Sequence, residues 1–186
     1  MVATRTYTVD ELERTPPDGD WSVNSWELVD GELVVVTPTG GEASGIPMKM
    51  GFLLGSVIYP NRLGKLYGPD GGFKLFPGRE TMLVPDVAFV RAERVPPLEE
   101  ERKILRLVPD FVVEVRSPSD NWAPLLAKAA IYLEAGVRLV WLIDPINRTV
   151  TVLTPSTVLA TLHAGETIDG VDVLPGFSVR VAEIFE

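Results

Sequence analysis

The segment PDFVVEVRSPSD, residues 109–120, carries a glutamate in the middle of an apolar run. The run predicts a buried β-strand, and an ionised Glu114 carboxylate is costly to bury there unless a cation pairs with it. A metal ion is one such partner, and an ion pair with Arg116, Arg106 or Lys74 is the alternative. Glu114 is therefore the first candidate for chemistry in this chain.

A second acidic residue, Asp86, lies in the preceding strand candidate, VPDVAFV. Side chains alternate along a strand, so Asp86 shares a face with Ala88, while Glu114 shares one with Val112. If the strands are neighbours, the two carboxylates converge from one side of the sheet and repel each other unless a cation lies between them. Oxygen-only ligation suits Mg²⁺ or Mn²⁺, which take one or two carboxylates with water and substrate phosphate. The pair predicts a phosphodiesterase site, in which the metal activates water and neutralises charge on the phosphate.

Lys128 lies in the helix predicted for SPSDNWAPLLAKAAIYLEAGV, which has Pro124 near its first turn and Gly136 after its end. Its neighbours three and four positions away are apolar, so the lysine lies on or beside the stripe that faces the sheet. Its ammonium group then either reaches water at the edge or points at the carboxylates. In the second case it would orient the attacking water or stabilise negative charge at phosphorus.

The other segments predict an α+β domain with a mixed central β-sheet. A helix begins near Thr8 with Glu11 as its capping-box partner, a hairpin turns at Asp30–Gly31, and a long helix covers 46–61. Strands are predicted for GKLYGPDGGFKLF, MLVPDVAFVR, PDFVVEVRS, VRLVWLIDP and RTVTVLT, with two or three more towards the end, and VPPLEEERK is predicted to be a charged surface loop. With 186 residues and no repeats, the chain is expected to form a single domain.

The composition excludes several classes of function. The chain has no cysteine, which excludes disulfides, thiolate zinc sites and cysteine nucleophiles. No signal segment or apolar run of membrane-spanning length is visible, so a cytoplasmic protein without membrane association is expected. The net charge of −9 argues against tight nonspecific binding of nucleic acid, but residues 62–128 carry 11 basic and 10 acidic side chains. A polyanion can therefore approach this part of the chain.

Together these segments resemble the Uma-two family, a set of bacterial proteins assigned as endonucleases within the PD-(D/E)-x-K nuclease superfamily. The resemblance covers roughly residues 20–178 and rests on the order and spacing of WELVDGELVVVTPTGGE, VPDVAFV, PDFVVEVRSPSD, KAAIYLEAGV, VWLIDP and LPGF. It implies a restriction-endonuclease-like domain over residues 1–186, in which helices flank a mixed sheet and the N-terminal helix and hairpin, about residues 1–45, pack on the nuclease core. It also implies Mg²⁺-dependent cleavage of DNA phosphodiester bonds.

The resemblance assigns roles to individual residues. Asp86 becomes the aspartate of the PD motif and Glu114 the acidic residue of the E-x-K motif, and both would bind the metal. The backbone carbonyl of Val115 becomes a further metal ligand. Glu27, in WELVDGEL, matches an acidic residue that often completes such sites.

The sequence departs from the family pattern in two places. Arg116 stands where the motif has lysine, and the histidine that often follows the first hairpin is missing from TPTGGEASGIP. Arginine stays protonated and cannot act as a base, although it can hold a phosphate. Arg116 and Lys74 are therefore the candidates for contact with substrate phosphate, and Lys128 looks like the substitute for the motif lysine.

The sequence favours a Mg²⁺- or Mn²⁺-dependent deoxyribonuclease with DNA as its partner. A homodimer or higher homo-oligomer is expected, because cleavage of a duplex needs two sites and cyclic dimers are the commonest assembly. Two alternatives stay open. One is a catalytically inactive binding or assembly module that keeps the nuclease fold, and the other is a metal-dependent phosphohydrolase of small nucleotides.

Overall fold

The computed structural model describes residues 5–14, 25–36, 40–117 and 121–186. The chain groups into two compact units, and each is described on its own. The first unit comprises Met1–Pro38, Asp70–Val84 and Pro96–Val108, and the second comprises Thr39–Pro69, Pro85–Val95 and Pro109–Glu186. The single domain over residues 1–186, with about residues 1–45 packed on a nuclease core, stays a prediction.

The described residues form helices and strands in the following chain order: α1 (Val9–Arg14), β1 (Ser25–Val29), β2 (Glu32–Val36), α2 (Gly41–Ile58), β3 (Gly64–Tyr67), β4 (Phe73–Lys74), β5 (Met82–Leu83), β6 (Val87–Arg91), a 3₁₀ turn (Ala92–Arg94), α3 (Leu98–Glu101), β7 (Phe111–Val115), α4 (Trp122–Ala135), β8 (Leu139–Asp144), β9 (Thr149–Thr154), β10 (Thr157–His163), β11 (Thr167–Gly170), β12 (Leu174–Arg180) and α5 (Val181–Ile184).

The first unit contains a four-stranded sheet in the order β2-β1-β5-β4. The predicted hairpin is confirmed: β1 and β2 pair antiparallel, and its turn residues Asp30 and Gly31 have φ of 51° and 86°. Positive φ at both positions gives the turn a twist that matches the strands. The predicted capping box is also confirmed, because the Thr8 backbone N–H donates to Glu11 Oε2 at 2.8 Å and the Glu11 N–H donates to Thr8 Oγ1 at 3.2 Å.

The second unit contains a six-stranded sheet in the order β10-β9-β8-β7-β6-β3 and a separate β11-β12 pair. Strands β7 and β8 run parallel, while β6 pairs antiparallel with β7 and β9 pairs antiparallel with β8. The large sheet is therefore mixed, as predicted. The helix after β7, α4, is the crossover that a parallel pair requires.

One face of the large sheet carries the main hydrophobic core of the second unit. On this face Phe111 and Trp141 meet edge to face with ring centroids 4.8 Å apart. Helix α2 packs there through Met50, Leu54 and Ile58, which recur every four residues and are buried. The opposite face is left for α4 and the candidate site.

Some predicted boundaries were wrong. The long helix begins at Gly41 rather than at residue 46, and the loop VPPLEEERK contains the short helix α3. GKLYGPDGGFKLF and MLVPDVAFVR each contain two strands that belong to different sheets. The interruptions fall at Pro69 and Pro85, because proline cannot donate to a strand ladder.

None of the helices in the described ranges combines the length and the hydropathy that crossing a bilayer requires.

We predict that Gly136→Ala lowers the free energy of unfolding by about 1 kcal/mol, because Gly136 ends α4 in the left-handed conformation with φ of 103°. The described residues leave open space around a Cβ at this position, so the loss comes from the backbone alone. Gly165→Ala is the control, since its Cβ also meets open space while its φ lies outside the left-handed region. Urea denaturation measures both, and equal stability of the two variants would contradict the prediction.

Candidate metal and active site

Asp86, the residue before β6, lies next to strand β7, which carries Glu114. Strands β6 and β7 pair antiparallel with Val87 opposite Val113 and Ala88 opposite Val112. One further step in this register sets Asp86, the residue before β6, opposite Glu114. Opposed residues of an antiparallel pair have Cβ atoms about 4.5–5.5 Å apart. The register is therefore compatible with a shared site, and the convergence of the two carboxylates on one cation stays a prediction.

The Asp86 carboxylate is fixed by the backbone of the neighbouring strand. The N–H group of Val115 donates a hydrogen bond to Asp86 Oδ2 at 2.7 Å. A carboxylate that accepts a backbone N–H is held in one orientation. Pro85 precedes this residue, so the chain reaches Asp86 from an extended backbone that is not part of the ladder.

The buried Glu114 carboxylate has two partners on α4. The hydroxyl group of Tyr132 donates to Glu114 Oε1 at 2.8 Å, and Lys128 Nζ lies 2.9 Å from the same oxygen. Tyr132 is fully buried, whereas the Lys128 side chain keeps 18% of its exposure. Of the alternatives that the sequence left open for Glu114, the structure shows an ion pair, but with Lys128.

Helix periodicity explains why Lys128 and Tyr132 reach one carboxylate. They are four residues apart and project from one side of α4, the side that faces the sheet. Ala129 and Tyr132 are the residues of α4 that are buried. The small alanine brings the helix close to the sheet, and the lysine extends from the edge of this contact to Glu114.

The Arg116 side chain is mostly buried and contacts other residues of the second unit. Its Nη1 donates to Asp144 Oδ2 at 3.1 Å, and its guanidinium lies 5.4 Å from the centre of the Trp122 ring. Only 16% of its side chain is exposed. This geometry fixes the end of β7 to β8, and the phosphate contact of Arg116 stays a prediction.

The partner of Arg116, Asp144, is a fully buried carboxylate at the end of β8. It accepts the backbone N–H of Ile146 at 2.9 Å and the side-chain amide of Asn147 at 2.8 Å. Burial raises the pKa of Asp144, but the hydrogen bonds from Asn147 and Arg116 outweigh it, and the pKa lies below its ordinary value of 3.8. Asp144 is therefore held in its charged form.

Two further candidates, Glu27 and Lys74, belong to the first unit. Glu27 is buried in β1 and its Oε1 accepts the backbone N–H of Val84 at 2.8 Å. Lys74 Nζ donates to Glu80 Oε1 at 2.7 Å, which engages its charge within the first unit. The metal-site role of Glu27 and the phosphate contact of Lys74 stay predictions.

The donor chemistry of the site fits a hard divalent cation. Asp86 and Glu114 offer carboxylate oxygens from adjacent strand positions, and Mg²⁺ is commonly bound by one or two carboxylates while it keeps several waters. Within the described ranges, no group of three or more acidic or histidine side chains is placed to hold a metal. Two carboxylates would leave the other ligands of such an ion to solvent and substrate.

Sequence reasoning did not identify Tyr132 as a site residue. A signal was present, since Tyr132 follows Lys128 by four positions on the same predicted helix. A tyrosine at a sheet-facing position must place its hydroxyl against a polar partner when buried. Glu114, the buried glutamate on the preceding strand, is that partner.

Comparison with known proteins decides the family. The profile of a family named Uma2, described as "Putative restriction endonuclease", matches residues 9–182. The chain belongs to the Uma2 family. The resemblance drawn from the sequence motifs is thereby confirmed. Uma2 membership supports a nuclease function in the general sense of the family description.

A solved structure supports the fold of this Uma2 protein. It is described as "a putative nuclease belonging to DUF820 from Anabaena variabilis ATCC 29413" and matches with a TM-score of 0.77. The match covers 96% of this chain and 97% of that chain at 21% sequence identity. This likeness confirms the predicted restriction-endonuclease-like α+β fold. No curated protein sequence matches the chain.

We predict that Lys128→Met lowers the free energy of unfolding by about 2 kcal/mol, because the buried Glu114 carboxylate loses its cation. Adding Glu114→Gln removes the uncompensated charge and is expected to restore at least half of the loss. Lys65→Met is the matched control, since its ammonium lies over the Tyr67 ring at 5.6 Å, and it should change stability by less than about 0.5 kcal/mol. Chemical denaturation of wild type, of each single variant and of the double variant gives the coupling energy between Lys128 and Glu114. Strictly additive effects of Lys128→Met and Glu114→Gln would count against an interaction between the two residues.

The lowered pKa of Asp144 predicts a pH dependence of stability. Because the charged form is favoured in the folded state, its contribution is present above the ordinary value of 3.8 and is lost as the pH falls through the lowered folded pKa. The stability difference between wild type and Asp144→Asn should therefore shrink as the pH falls below 3.8. Urea titrations at pH 6 and in steps below pH 4 test this, and a difference that grows towards acid would refute it.

Proposed function

We propose that this Uma2 protein is a metal-dependent nuclease that hydrolyses the phosphodiester bonds of DNA. The observation that carries the proposal is that Asp86 accepts the N–H of Val115 at 2.7 Å, beside Glu114, whose carboxylate has Lys128 at 2.9 Å. Two acidic groups that could hold a metal ion, with a cation beside them, suit the hydrolysis of a phosphodiester. The family description supports the reaction class.

In this proposal Asp86 and Glu114 hold Mg²⁺ or Mn²⁺, and the carbonyl of Val115 is the further ligand implied by the motif. The bound ion supplies a more acidic water and positive charge beside the phosphate. The contact from the Val115 N–H to Asp86 and the contact from Tyr132 to Glu114 orient both carboxylates before substrate binds. Such fixed orientation lowers the reorganisation that the transition state demands.

Lys128 supplies the second positive charge in the proposed reaction. Its ammonium group extends from α4 to Glu114, and its partial exposure leaves it accessible to a bound phosphate or water. A positive group at this point stabilises the negative charge that develops on the phosphoryl oxygens. In the hydrolysis, the water oxygen bonds to phosphorus, one P–O ester bond breaks, and a water proton ends on the leaving oxygen.

The charge distribution is compatible with DNA as the substrate. Asp86, Glu114 and Lys128 all fall within residues 62–128, where 11 basic side chains offset 10 acidic ones despite the net charge of −9. Binding to DNA is expected to be weak and salt-dependent, because few phosphates can be neutralised.

Plasmid cleavage with Mg²⁺ or Mn²⁺ tests the activity directly. Wild type is expected to nick supercoiled DNA, and Asp86→Asn and Glu114→Gln are each expected to reduce the rate at least about 100-fold, the size of effect typical of a lost catalytic electrostatic group. Glu134→Gln, an exposed carboxylate on α4, is the control and should keep wild-type activity. Equal nicking by all four proteins would assign the activity to a contaminant, and no nicking by wild type would remove the proposal.

Calorimetric titration with Mn²⁺ separates a nuclease from a catalytically inactive module. The proposal predicts one site per chain that is lost in Asp86→Asn and Glu114→Gln. Wild type without a metal site would instead indicate the binding or assembly module. Hydrolysis of small nucleotides without any cleavage of DNA would select the phosphohydrolase.

A further inference from the structure

Helix α2 buries one face against the large sheet, and within the described ranges the opposite face is exposed. Met48 is 74% exposed and Phe52 is 72% exposed on this face, and Tyr59, which follows the helix, is 56% exposed. At 3.6 residues per turn these three large side chains project from one side. Single exposed apolar residues are ordinary, but an aligned row of them marks an interaction surface.

The same face contains glycines that the fold does not explain. Among the residues that the structure describes, nothing lies within 4 Å of a Cβ built at Gly41, Gly45 or Gly51, and none of the three has a left-handed backbone. Glycine inside a helix is less stable than alanine, because the unfolded chain has more freedom to lose. Hollows at these positions, next to large apolar side chains, let a second helix approach closely and receive its side chains.

We infer that this face of α2 binds the same face of a second copy of the chain as an antiparallel helix pair about a two-fold axis. A two-fold interface needs projections and hollows on one and the same surface. With the axis near residues 46 and 47, Met48 of one copy enters the hollow at Gly41 and Gly45 of the other. Phe52 then covers the glycine start of the partner helix.

The charges on α2 identify the occupant as another copy of this chain. Glu42 and Lys49, the charged residues of the helix, lie two turns apart on one edge of the face. An antiparallel pair brings each glutamate close to the lysine of the other copy. The centre of the face is uncharged, so two chains of net charge −9 meet there with the least repulsion. DNA or an anionic membrane would require more cations than the single lysine.

The inference goes beyond the proposed nuclease activity and does not depend on it. If the activity is also present, the pairing supplies the two sites that cleavage of both strands of a duplex needs. The α2 face and the candidate site use opposite faces of the large sheet, so a variant of one can be made without touching the other.

Light scattering coupled to size exclusion tests the assembly. Wild type is expected at twice the monomer mass of 20.4 kDa, and Phe52→Glu is expected at the monomer mass because it buries two charges across the axis. Val158→Glu, at a residue 59% exposed on β10, is the matched control and should stay dimeric. Both residues are exposed, so circular dichroism and thermal melting should show folded protein in each case. A monomeric wild type, or a dimer that survives Phe52→Glu, overturns the inference.

Disulfide cross-linking locates the interface. Because the chain has no cysteine, an introduced cysteine is the only thiol that can react. Met48→Cys is expected to form a disulfide-linked dimer under mild oxidation, because position 48 lies close to the axis. Val158→Cys is expected to stay monomeric on a non-reducing gel. Equal cross-linking of the two variants, or cross-linking of Val158→Cys alone, would place any dimer contact elsewhere and refute the α2 pairing.

Gly45→Leu gives a second readout that a solvent-exposed face would not produce. Leucine is a better helix former than glycine, so on an isolated helix face the change raises the melting temperature. The inferred interface predicts the monomer mass for this variant, since leucine fills the hollow that receives Met48. A variant that is dimeric with wild-type affinity would contradict the proposed packing.

Discussion

The arrangement of strands and helices in the second unit depends on the partners of one buried carboxylate, that of Glu114. Glu114 lies in the central strand pair of a mixed sheet, where a bare charge would be costly. Helix α4 supplies the partners of this charge: the Tyr132 hydroxyl and the Lys128 ammonium both contact the same carboxylate oxygen of Glu114. Breaking a buried pair of this kind costs more than forming it gains. The position of α4 on the sheet and the orientation of Glu114 are therefore coupled, and the strand register then brings Asp86 to the same place.

A second, mostly buried ion pair, between Arg116 and Asp144, lies at the same end of the sheet and has a different effect. Arg116 follows β7 immediately and is bound by Asp144 at the end of β8, under the ring of Trp122. This fixes the strand end next to the site without using Glu114. The two cations near the site thus have separate partners: Arg116 stabilises the edge of the sheet, while Lys128 remains directed at the carboxylate.

Much of this arrangement could be predicted from the sequence, because it follows from local rules. Alternation along β6 and β7 fixed the shared face of Asp86 and Glu114, and helical spacing placed Lys128 near it. The sequence could not give the partner of a buried charge, since that depends on which helix side meets which strand; the contact of Tyr132 was missed for this reason. The broken strands at Pro69 and Pro85 show the same limit. Local propensity indicates extended backbone but not the sheet that each half joins.

A crystal soaked with Mn²⁺ and measured at an energy where manganese scatters anomalously tests the central claim most directly. The account predicts one strong anomalous peak within coordination distance of both Asp86 and Glu114, about 2.0–2.3 Å from the carboxylate oxygens, as hard divalent ions require. It also predicts that the peak disappears in Glu114→Gln while the sheet register is unchanged. A peak bound to neither carboxylate, or none at saturating Mn²⁺ in an otherwise ordered site, would contradict it.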